Sequence, residues 1–269
     1  MGGVAVTVAL VGAPAAPAAT LLGDYQLQGT TASSGPGPSL SFLNLNTNFQ
    51  SENVMGSSRQ VLAFGSGSGA QMAPVGFTGG NPPQHSVVMT FRLLDDTGYN
   101  RILDWSHGTD DNGIYDRDRK VRYYRPFPEA TESPGPVFGS NTYSTLAVTV
   151  SGSATRAFVN GAPAFTSSFR EMVIGDALTF FVDNTSGGNP GEESAGAVSC
   201  IRVYSGVLSD TEIAAIGASP DCITHPAAPQ PPVTQSPGTV TKKKCKKHKK
   251  KHRSAESAKK KCKKKRKKR

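Results

Sequence analysis

Residues 156–165 have the sequence Arg-Ala-Phe-Val-Asn-Gly-Ala-Pro-Ala-Phe. Asn160 and Gly161 tolerate the positive φ angles of a type I′ turn, and apolar residues flank them on both sides. This pattern predicts a β-hairpin. Residues 87–93, Val-Val-Met-Thr-Phe-Arg-Leu, alternate between apolar and polar positions after the first valine pair, which is typical of a strand with one buried face.

Short segments with this alternation recur along the chain, separated by clusters of Gly, Pro, Asn, Asp and Ser. They predict an antiparallel β protein, because such clusters favour turns between strands. The predicted strands are residues 25–28, 40–45, 60–64, 87–94, 102–105, 121–124, 145–150, 156–159, 178–182 and 198–204.

One short helix is predicted near the end of this region. Ser209 and Glu212 have the spacing of a capping box, Ile213 and Ile216 give the helix an apolar edge, and Gly217 ends it. Many short strands with a single helix indicate a β sandwich or a barrel.

Charge divides the chain into two regions. Residues 242–269 contain 19 of the 30 lysines and arginines and one acidic residue, a net charge of +18, whereas the other 241 residues contain 11 basic and 19 acidic residues, a net charge of −8. Such a cationic tail is expected to be disordered. It favours polyanions such as cell-envelope polymers, anionic lipids or nucleic acid; a solubilising role is the alternative.

The lysines of the tail are point charges and give little base readout, so sequence-specific nucleic-acid recognition is not expected. The polyanion-binding lysines are predicted at both ends of the tail: Lys242, Lys243, Lys244, Lys263, Lys264 and Lys265.

Residues 1–19 are predicted to be a signal peptide. An apolar run at 4–11 is followed by small residues with A-x-A-type cleavage sites, although the usual basic residues are missing before it. Residues 20–218 then form the predicted domain, and the Pro-rich residues 219–241 are a predicted linker. No other apolar run approaches the roughly 20 residues of a membrane-spanning helix. We therefore expect a secreted or cell-envelope protein.

Four segments together resemble a known family. They are residues 101–115 (RILDWSHGTDDNGIY), 143–161 (YSTLAVTVSGSATRAFVNG), 178–184 (LTFFVDN), and 195–204 with 208–213 (AGAVSCIRVY and LSDTEI). In order and spacing they resemble laminin-G-like, concanavalin A-like jelly-roll domains, from about residue 24 to about residue 218. The resemblance implies an all-β fold, a two-sheet antiparallel jelly-roll sandwich with one short C-terminal helix. It implies less about function, because this architecture includes lectins, adhesion modules and glycosidases.

The four cysteines fall into two pairs by position, Cys200 with Cys222 and Cys245 with Cys262. Export favours a Cys200–Cys222 disulfide, although four cysteines permit three connectivities and two free thiols are the alternative. The spacings match no C-x-x-C metal motif.

Candidate ligand-binding residues lie in an aromatic and cationic stretch. They are Trp105, Tyr115, Arg122 and Tyr124. For Trp105, the only tryptophan, a place in the core is the favoured alternative, because aromatic side chains mostly pack inside. Calcium is a possible cofactor: of several acidic turns, Asp183 and Asn184 are the favoured ligands because they directly follow a core strand, although Asp and Asn are also common in turns for backbone reasons.

No carboxylate pair has the pattern expected of a retaining glycosidase, which needs two carboxyl groups about 5 Å apart. Glu192 and Glu193 are adjacent and should diverge, and Asp116 and Asp118 alternate with basic residues, which predicts an exposed, salt-bridged turn. The sequence therefore favours a non-enzymatic module that binds an extracellular glycan or protein and is retained by its cationic tail. A glycan-cleaving enzyme of the same fold and an intracellular polyanion-binding or nucleic-acid-binding protein are the alternatives.

Overall fold

The structure is a computed structural model that describes residues 18–44, 46–77, 84–106, 108, 111–124, 131–169, 176–183 and 191–224. Nearly all of the predicted signal peptide, most of the predicted linker and the whole cationic tail lie outside these residues, as do Asn184, Cys245 and Cys262.

The described residues form fifteen strands and one helix. The strands are β1 (Thr20–Tyr25), β2 (Ser41–Leu43), β3 (Thr47–Val54), β4 (Ser57–Phe64), β5 (Gly69–Met72), β6 (His85–Leu93), β7 (Tyr99–Asp104), β8 (Gly113–Arg117), β9 (Lys120–Tyr124), β10 (Thr131–Glu132), β11 (Ser144–Val150), β12 (Thr155–Val159), β13 (Ala162–Ser167), β14 (Leu178–Phe180) and β15 (Gly196–Ser205). The helix is α1 (Asp210–Ile216). In the described part of the chain, no helix has the length and apolar character needed to cross a membrane.

The strands form two antiparallel sheets. Sheet A has the order β13-β12-β11-β6-β15-β4-β3, with β1 also paired to β15, and sheet B has the order β10-β9-β8-β7-β14-β5-β2. Strands that are neighbours in a sheet are often far apart in sequence, as when β6 pairs with both β11 and β15. The chain therefore crosses repeatedly between the sheets, and the predicted two-sheet jelly-roll sandwich is confirmed.

The main hydrophobic core lies between the sheets. Met89 and Ile201 contribute from sheet A, and Leu103 and Phe180 contribute from sheet B. Aromatic rings join the two layers: Phe181, just after β14, stacks on Phe64 of β4 with centroids 4.5 Å apart. The alternation seen in the sequence thus places one face of each sheet in a shared core.

The outer face of sheet A is covered by the end of the folded chain. Val88, Phe158 and Cys200 on this face pack with Ile213 and Ile216 of α1. The helix begins with the predicted capping box, in which Ser209 and Glu212 bond each other's backbone N–H groups, and Gly217 is its C-cap. A second small apolar cluster lies on the outer side of β4 and consists of Val54, Val61, Tyr143 and Ala197.

A disulfide joins Cys200 to Cys222 as predicted, and it holds the segment after α1 against sheet A. Ser219 is buried there: its carbonyl accepts a hydrogen bond of 2.6 Å from Thr90 Oγ1, and its N–H donates to Thr145 Oγ1 at 2.9 Å. The domain boundary predicted after residue 218 is therefore too early, and the folded region continues into the segment predicted as linker.

Two local expectations were wrong. The strand predicted at residues 25–28 ends at Tyr25, because Leu27 takes a left-handed backbone conformation with φ 52°. Residues 113–117 form β8, although Gly113 and Asp116 suggested a turn. Gly113 is required in this strand, because a Cβ atom there would collide with the Leu103 carbonyl oxygen of neighbouring β7.

Candidate functional site

The outer face of sheet B is built from β7, β8 and β9. Cross-strand pairing places Tyr115 of β8 between Arg101 of β7 and Arg122 of β9, and it places Arg117 opposite Tyr99. Because alternate residues of a strand share a face, these side chains lie on the side away from the core, while Ile114 and Val121 point inward. We call Tyr99, Tyr115, Arg117, Arg122 and Tyr124 the tyrosine-arginine face.

Three tyrosines of this face contact one another edge to face. Ring centroids are 5.6 Å apart for Tyr99 and Tyr115, 5.9 Å for Tyr99 and Tyr124, and 6.0 Å for Tyr115 and Tyr124. The guanidinium groups of Arg117 and Arg122 lie 5.1 Å and 5.4 Å from the Tyr99 ring. Such contacts hold the rings in fixed orientations, which suits a preformed binding surface.

Glu132 of β10 pairs with three cations of this face. Its carboxylate is 2.6 Å from Arg122 Nη1, 2.8 Å from Lys120 Nζ and 3.5 Å from Arg117 Nη1. These hydrogen bonds, first that of Lys120, lower the pKa of Glu132 despite partial burial. Three cations share one carboxylate, so this end of the face has a surplus of positive charge.

The four predicted ligand-binding residues do not all lie on one surface. Trp105 is 0% exposed, contacts Tyr123 in the core and donates from Nε1 to His85 Nε2 at 2.9 Å, so its proposed role at a binding surface was wrong. Tyr115 is also 0% exposed and supports the face from below without offering its own ring to solvent. Arg122 and Tyr124 are partly exposed and lie together on the face.

Beside Tyr115 lies a group of carboxyls around the buried Arg101. Its guanidinium bonds Asp183 Oδ1 at 2.6 Å and Asp104 Oδ2 at 2.7 Å, and it lies 3.5 Å from Asp111. The Arg101 guanidinium also covers the Tyr115 ring at 4.3 Å. We call Asp104, Asp111, Asp183 and Glu192 the carboxyl group cluster. It adjoins the tyrosine-arginine face through Tyr115.

Burial and mutual repulsion change the pKa values in the cluster. Burial raises the pKa of Glu192, and the neighbouring Asp183 and Asp111 raise it further. Burial also raises the pKa values of Asp104 and Asp183, although Arg101 opposes this effect on both. The pKa of Arg101 is raised, because neighbours including Tyr115 and Asp104 outweigh the burial that favours its neutral form. The positive charge of Arg101 therefore offsets only part of the negative charge that the four carboxyls can carry.

Asp111, Asp183 and Glu192 have carboxylate oxygens within 4.8 Å of one another. The sequence predicted Asp183 as a calcium ligand, and hard oxygen donors are the ligands that Ca²⁺ prefers. However, Asp183 Oδ1 accepts two hydrogen bonds from Arg101, at 2.6 and 3.1 Å, so the guanidinium already occupies the place beside this oxygen. The donors therefore fit calcium poorly, and Asn184, the other predicted ligand, lies outside the described residues.

The sequence predicted that the side chains of the adjacent Glu192 and Glu193 diverge, but both lie near Asp183. Glu192 joins the cluster, and Glu193 Oε1 accepts the Asp183 N–H at 3.2 Å. Arg101, Glu192 and Tyr99 were not among the predicted site residues. The pairing of Arg101 with Tyr115 across two strands could have been found only if β8 had been recognised.

Several buried polar atoms of β8 and β9 lack a hydrogen-bond partner among the described residues. They are Tyr115 Oη, Asp116 Oδ1 and Arg122 Nε. The Tyr115 hydroxyl has no hydrogen bond of good geometry among the described residues, yet its interaction with the Glu192 carboxylate lowers the pKa of Glu192 against the effect of burial. Burial raises the pKa of Tyr115. Because buried polar groups are nearly always paired, each of these atoms is a point where a ligand or water is expected; Tyr115 and Arg122 lie on the outer face, and Asp116 lies on the inner one.

The predicted exposed turn is correct for Asp118 but wrong for Asp116. Asp118 is 62% exposed and lies 4.0 Å from Arg117. The alternation of β8 turns Asp116 inward, where it is 2% exposed and lines a small cavity with Asp96 and Phe138. Burial raises the pKa of Asp116 to about 7, and the nearby Asp96 and Asp118 add to the effect.

Two antiparallel sheets packed face to face with this crossed strand order define a jelly-roll β-sandwich domain. A family model of laminin G type, described as the concanavalin A-like lectin/glucanases superfamily, matches residues 64–214, more than half of the chain. The chain belongs to this superfamily, and the resemblance inferred from the sequence is confirmed. No curated protein sequence matches the chain.

Solved structures with the same fold include both binding domains and parts of enzymes. Domain 4 of AbnA, a GH43 extracellular arabinanase from Geobacillus stearothermophilus, in complex with arabinotriose, aligns with a TM-score of 0.51 at 14% identity, over 73% of this chain and 97% of that one. Trypanosoma rangeli sialidase, in complex with 2,3-difluoro-KDN, aligns with a TM-score of 0.53 at 19% identity, over 78% of this chain and 34% of that one.

Botulinum neurotoxin type C, whose cell entry depends on interaction with two ganglioside molecules, aligns with a TM-score of 0.51 at 10% identity, over 72% of this chain and 50% of that one. The chain thus spans about a third of the sialidase and half of the neurotoxin chain. At these identities the likeness shows the fold alone.

Proposed function

We propose that this protein is a non-enzymatic binding module that recognises an extracellular glycan through the tyrosine-arginine face of sheet B. Aromatic rings with a few directed polar groups are the usual composition of small-ligand sites. The proposal rests chiefly on the partly exposed Tyr99 and Tyr124 rings, which contact each other and lie beside the guanidinium groups of Arg117 and Arg122. Arg122 Nε, which has no hydrogen-bond partner among the described residues, adds to it. The arabinotriose complex of the related arabinanase domain is consistent with a glycan ligand.

A glycan array tests this proposal. Full-length protein is applied together with the variants Tyr99→Ala and Tyr124→Ala, which remove the half-exposed rings. We expect each variant to lose at least about tenfold in affinity for the glycans that the native protein binds, because a buried aromatic contact typically contributes more than 1.4 kcal/mol. Phe42→Ala is the matched control, since Phe42 is 40% exposed on the distant β2 of the same sheet. Equal binding by all four proteins would contradict the assignment of the face.

An enzymatic role is the second candidate, and the carboxyl group cluster favours it. A retaining glycosidase needs two carboxyls about 5–5.5 Å apart, one of them with a raised pKa. The cluster offers close carboxyls, and the pKa of Glu192 is raised. Asp183 opposes this role, because it is 1% exposed and bonded to Arg101, so a sugar ring cannot reach it without rearrangement.

Release of reducing ends from a panel of polysaccharides distinguishes the two candidates. A binding module releases none, and Glu192→Gln then leaves the assay unchanged. Release that is abolished by Glu192→Gln, with folding intact by circular dichroism, would establish the glycosidase and replace the binding module.

The cationic tail is proposed to retain the protein at the cell envelope. Its 19 basic residues would attract anionic polymers or lipids, and such attraction weakens steeply as salt rises. Deleting residues 242–269 should therefore release the protein from washed cells at low salt, as high salt does for the full chain. If the truncated protein stays attached with the same dependence on ionic strength, retention by the tail is wrong.

A further inference from the structure

Two regions of opposite charge lie side by side on the outer face of sheet B. The cationic region consists of Arg117, Lys120 and Arg122 around Glu132. Even when the exposed Asp118 beside Arg117 is counted, three cations face two carboxylates among the described residues of this region. The region therefore keeps a net positive charge.

The second region is the carboxyl group cluster, in which Arg101 faces Asp104, Asp111, Asp183 and Glu192. It is net negative whenever more than one of the four is ionised. Two of its members reach the surface: the Asp111 side chain is 49% exposed, and Glu192 is partly exposed. These two can meet a cation from solution, while the buried Asp104 and Asp183 are held by Arg101.

The tyrosines connect the two regions. Tyr115 lies under the Arg101 guanidinium on one side and contacts Tyr99, 5.6 Å away between centroids, on the other. Arg117 in turn lies over Tyr99. These contacts connect the carboxyls to the arginines through the buried Arg101 and Tyr115, and the exposed parts of both regions lie at the two ends of this series. One extended ligand lying across the rings would touch both regions.

We propose that the ligand is a dipolar oligosaccharide, one that carries an ammonium group on one sugar and a carboxylate or phosphate on another. This rests on the proposed function and names the ligand class for the same face. The ammonium pairs with Asp111 and Glu192, the anionic group pairs with Arg117 and Arg122, and the sugar rings between them lie against Tyr99 and Tyr124.

Charge complementarity supports this class over a neutral glycan. A neutral sugar laid on the face would remove water from both charged regions and supply no ionic partner, which disfavours binding. The Tyr115 hydroxyl is a separate indication at the acidic side, because it is fully buried, close to Glu192 and without an ordinary hydrogen bond among the described residues.

Calorimetry with a matched set of tetrasaccharides tests the proposal. The parent alternates glucuronic acid with N-acetylglucosamine; the second is its de-N-acetylated form, which carries ammonium groups; the third is the de-N-acetylated form with reduced carboxyls; the fourth is N-acetylated and carboxyl-reduced, hence neutral. The dipolar form should bind the full-length protein at least about tenfold more tightly than each of the other three.

Two variants assign the charges to their regions. Asp111→Asn should weaken binding of the two amine-bearing forms and leave the N-acetylated forms unchanged. Arg117→Gln should weaken binding of the two carboxylate-bearing forms only. Both side chains are largely exposed, so folding is retained. Asp210→Asn and Arg156→Gln are the controls, because this exposed ion pair lies on α1 and β12 and should change none of the four affinities.

The outcomes separate this inference from the proposed function. Equal binding of neutral and dipolar forms, lost in Tyr99→Ala, overturns the dipolar class and leaves the glycan-binding face standing. Preference for the dipolar form that neither Asp111→Asn nor Arg117→Gln alters also overturns it, because the charges then lie elsewhere. If none of the four tetrasaccharides binds and the glycan array also shows no binding, both the dipolar ligand class and the glycan-binding face are contradicted.

Discussion

The outer faces of the two sheets differ in what covers them. On sheet A, the apolar Val88, Phe158 and Cys200 are packed under α1 and the disulfide-linked segment, and buried hydroxyls such as Thr90 and Thr145 find partners in Ser219. On the tyrosine-arginine face of sheet B, the Tyr99 and Tyr124 rings and the guanidinium groups reach solvent, and Tyr115 Oη and Arg122 Nε have no hydrogen-bond partner among the described residues. Both faces come from the same strand alternation.

This difference indicates that the interactions of the two outer faces serve different purposes. The covered face of sheet A contributes to stability, since apolar burial and satisfied hydrogen bonds favour the folded state. The face of sheet B retains interactions that a partner can complete, as binding sites do. Changes on the first face should therefore alter unfolding, whereas changes at the surface of the second should alter binding.

The largest expected effect is at the buried ion pairs around Arg101 in sheet B. Arg101→Met leaves Asp104 and Asp183 buried without their cation, and removing one member of such a group costs about 3–5 kcal/mol of unfolding free energy. Urea unfolding at pH 7 measures it. The loss should shrink at pH 5, where carboxyls with raised pKa values take up protons.

The matched control is Arg156→Met, which breaks an exposed pair with Asp210 over sheet A. Exposed pairs contribute about 0–1 kcal/mol. Similar losses in the two variants, or a loss in Arg101→Met that is independent of pH, would show that the cluster does not depend on the guanidinium.

The next effect is that of the disulfide on sheet A. Replacing Cys200 and Cys222 together by Ala removes a link between positions 22 residues apart, which costs about 3 kcal/mol in the chain-entropy description. Urea unfolding checks the loss. Glycan affinity at 10 °C should be unchanged, since the link lies on the opposite sheet from the tyrosine-arginine face, and a loss of affinity with intact folding would argue against two independent faces.

The covered face was easier to predict from the sequence than the open one. Ser209 with Glu212, the Ile213 and Ile216 edge, and the Cys200–Cys222 pair are all local or pairwise patterns, and each was found. The jelly roll itself followed from strand alternation and from the resemblance of four segments to a known family. The helix cap and the strands depend on residues that are close in sequence. The disulfide was predicted from the expectation that the protein is exported.

The open face depends on pairings that span long distances in sequence. Arg101 meets Asp183 across 82 residues, and Glu192, from the same connection between β14 and β15 as Asp183, joins them. Asp116 shows a second limit, because its basic neighbours Arg117 and Arg119 suggested exposure while the strand turned it inward. Trp105 was ambiguous for another reason, because tryptophan occurs both in cores and on surfaces that stack against sugars.

A third effect concerns the pH dependence that Asp116 gives to sheet B. Its pKa is raised from an unperturbed 3.8 to about 7, so the folded state holds a proton that the unfolded state releases. The resulting stability is present below about pH 4 and is lost between pH 4 and 7, by about 1.4 kcal/mol per pH unit where only the folded form is protonated. Above pH 7 no further change is expected.

Asp116→Asn isolates this contribution. The difference in unfolding free energy between the native protein and the variant should change across pH 4–7 with the sign given above, and groups common to both proteins cancel. Arg92, which lines the same cavity, remains paired with Glu52 in both. Parallel stability curves for the two proteins would mean that Asp116 is ionised in the folded state.

The smallest effect returns to the covering of sheet A. Ser209→Ala removes the side chain that accepts the Glu212 N–H, and loss of such a cap costs about 1 kcal/mol. Thermal unfolding should show a lower midpoint, and the four tetrasaccharide affinities should not change. Thr211→Ala, on the exposed side of the same helix turn, is the control and should leave the midpoint within error. Because α1 touches only sheet A among the faces compared, a change in glycan affinity on uncapping would mean that the two faces are energetically coupled through the shared core.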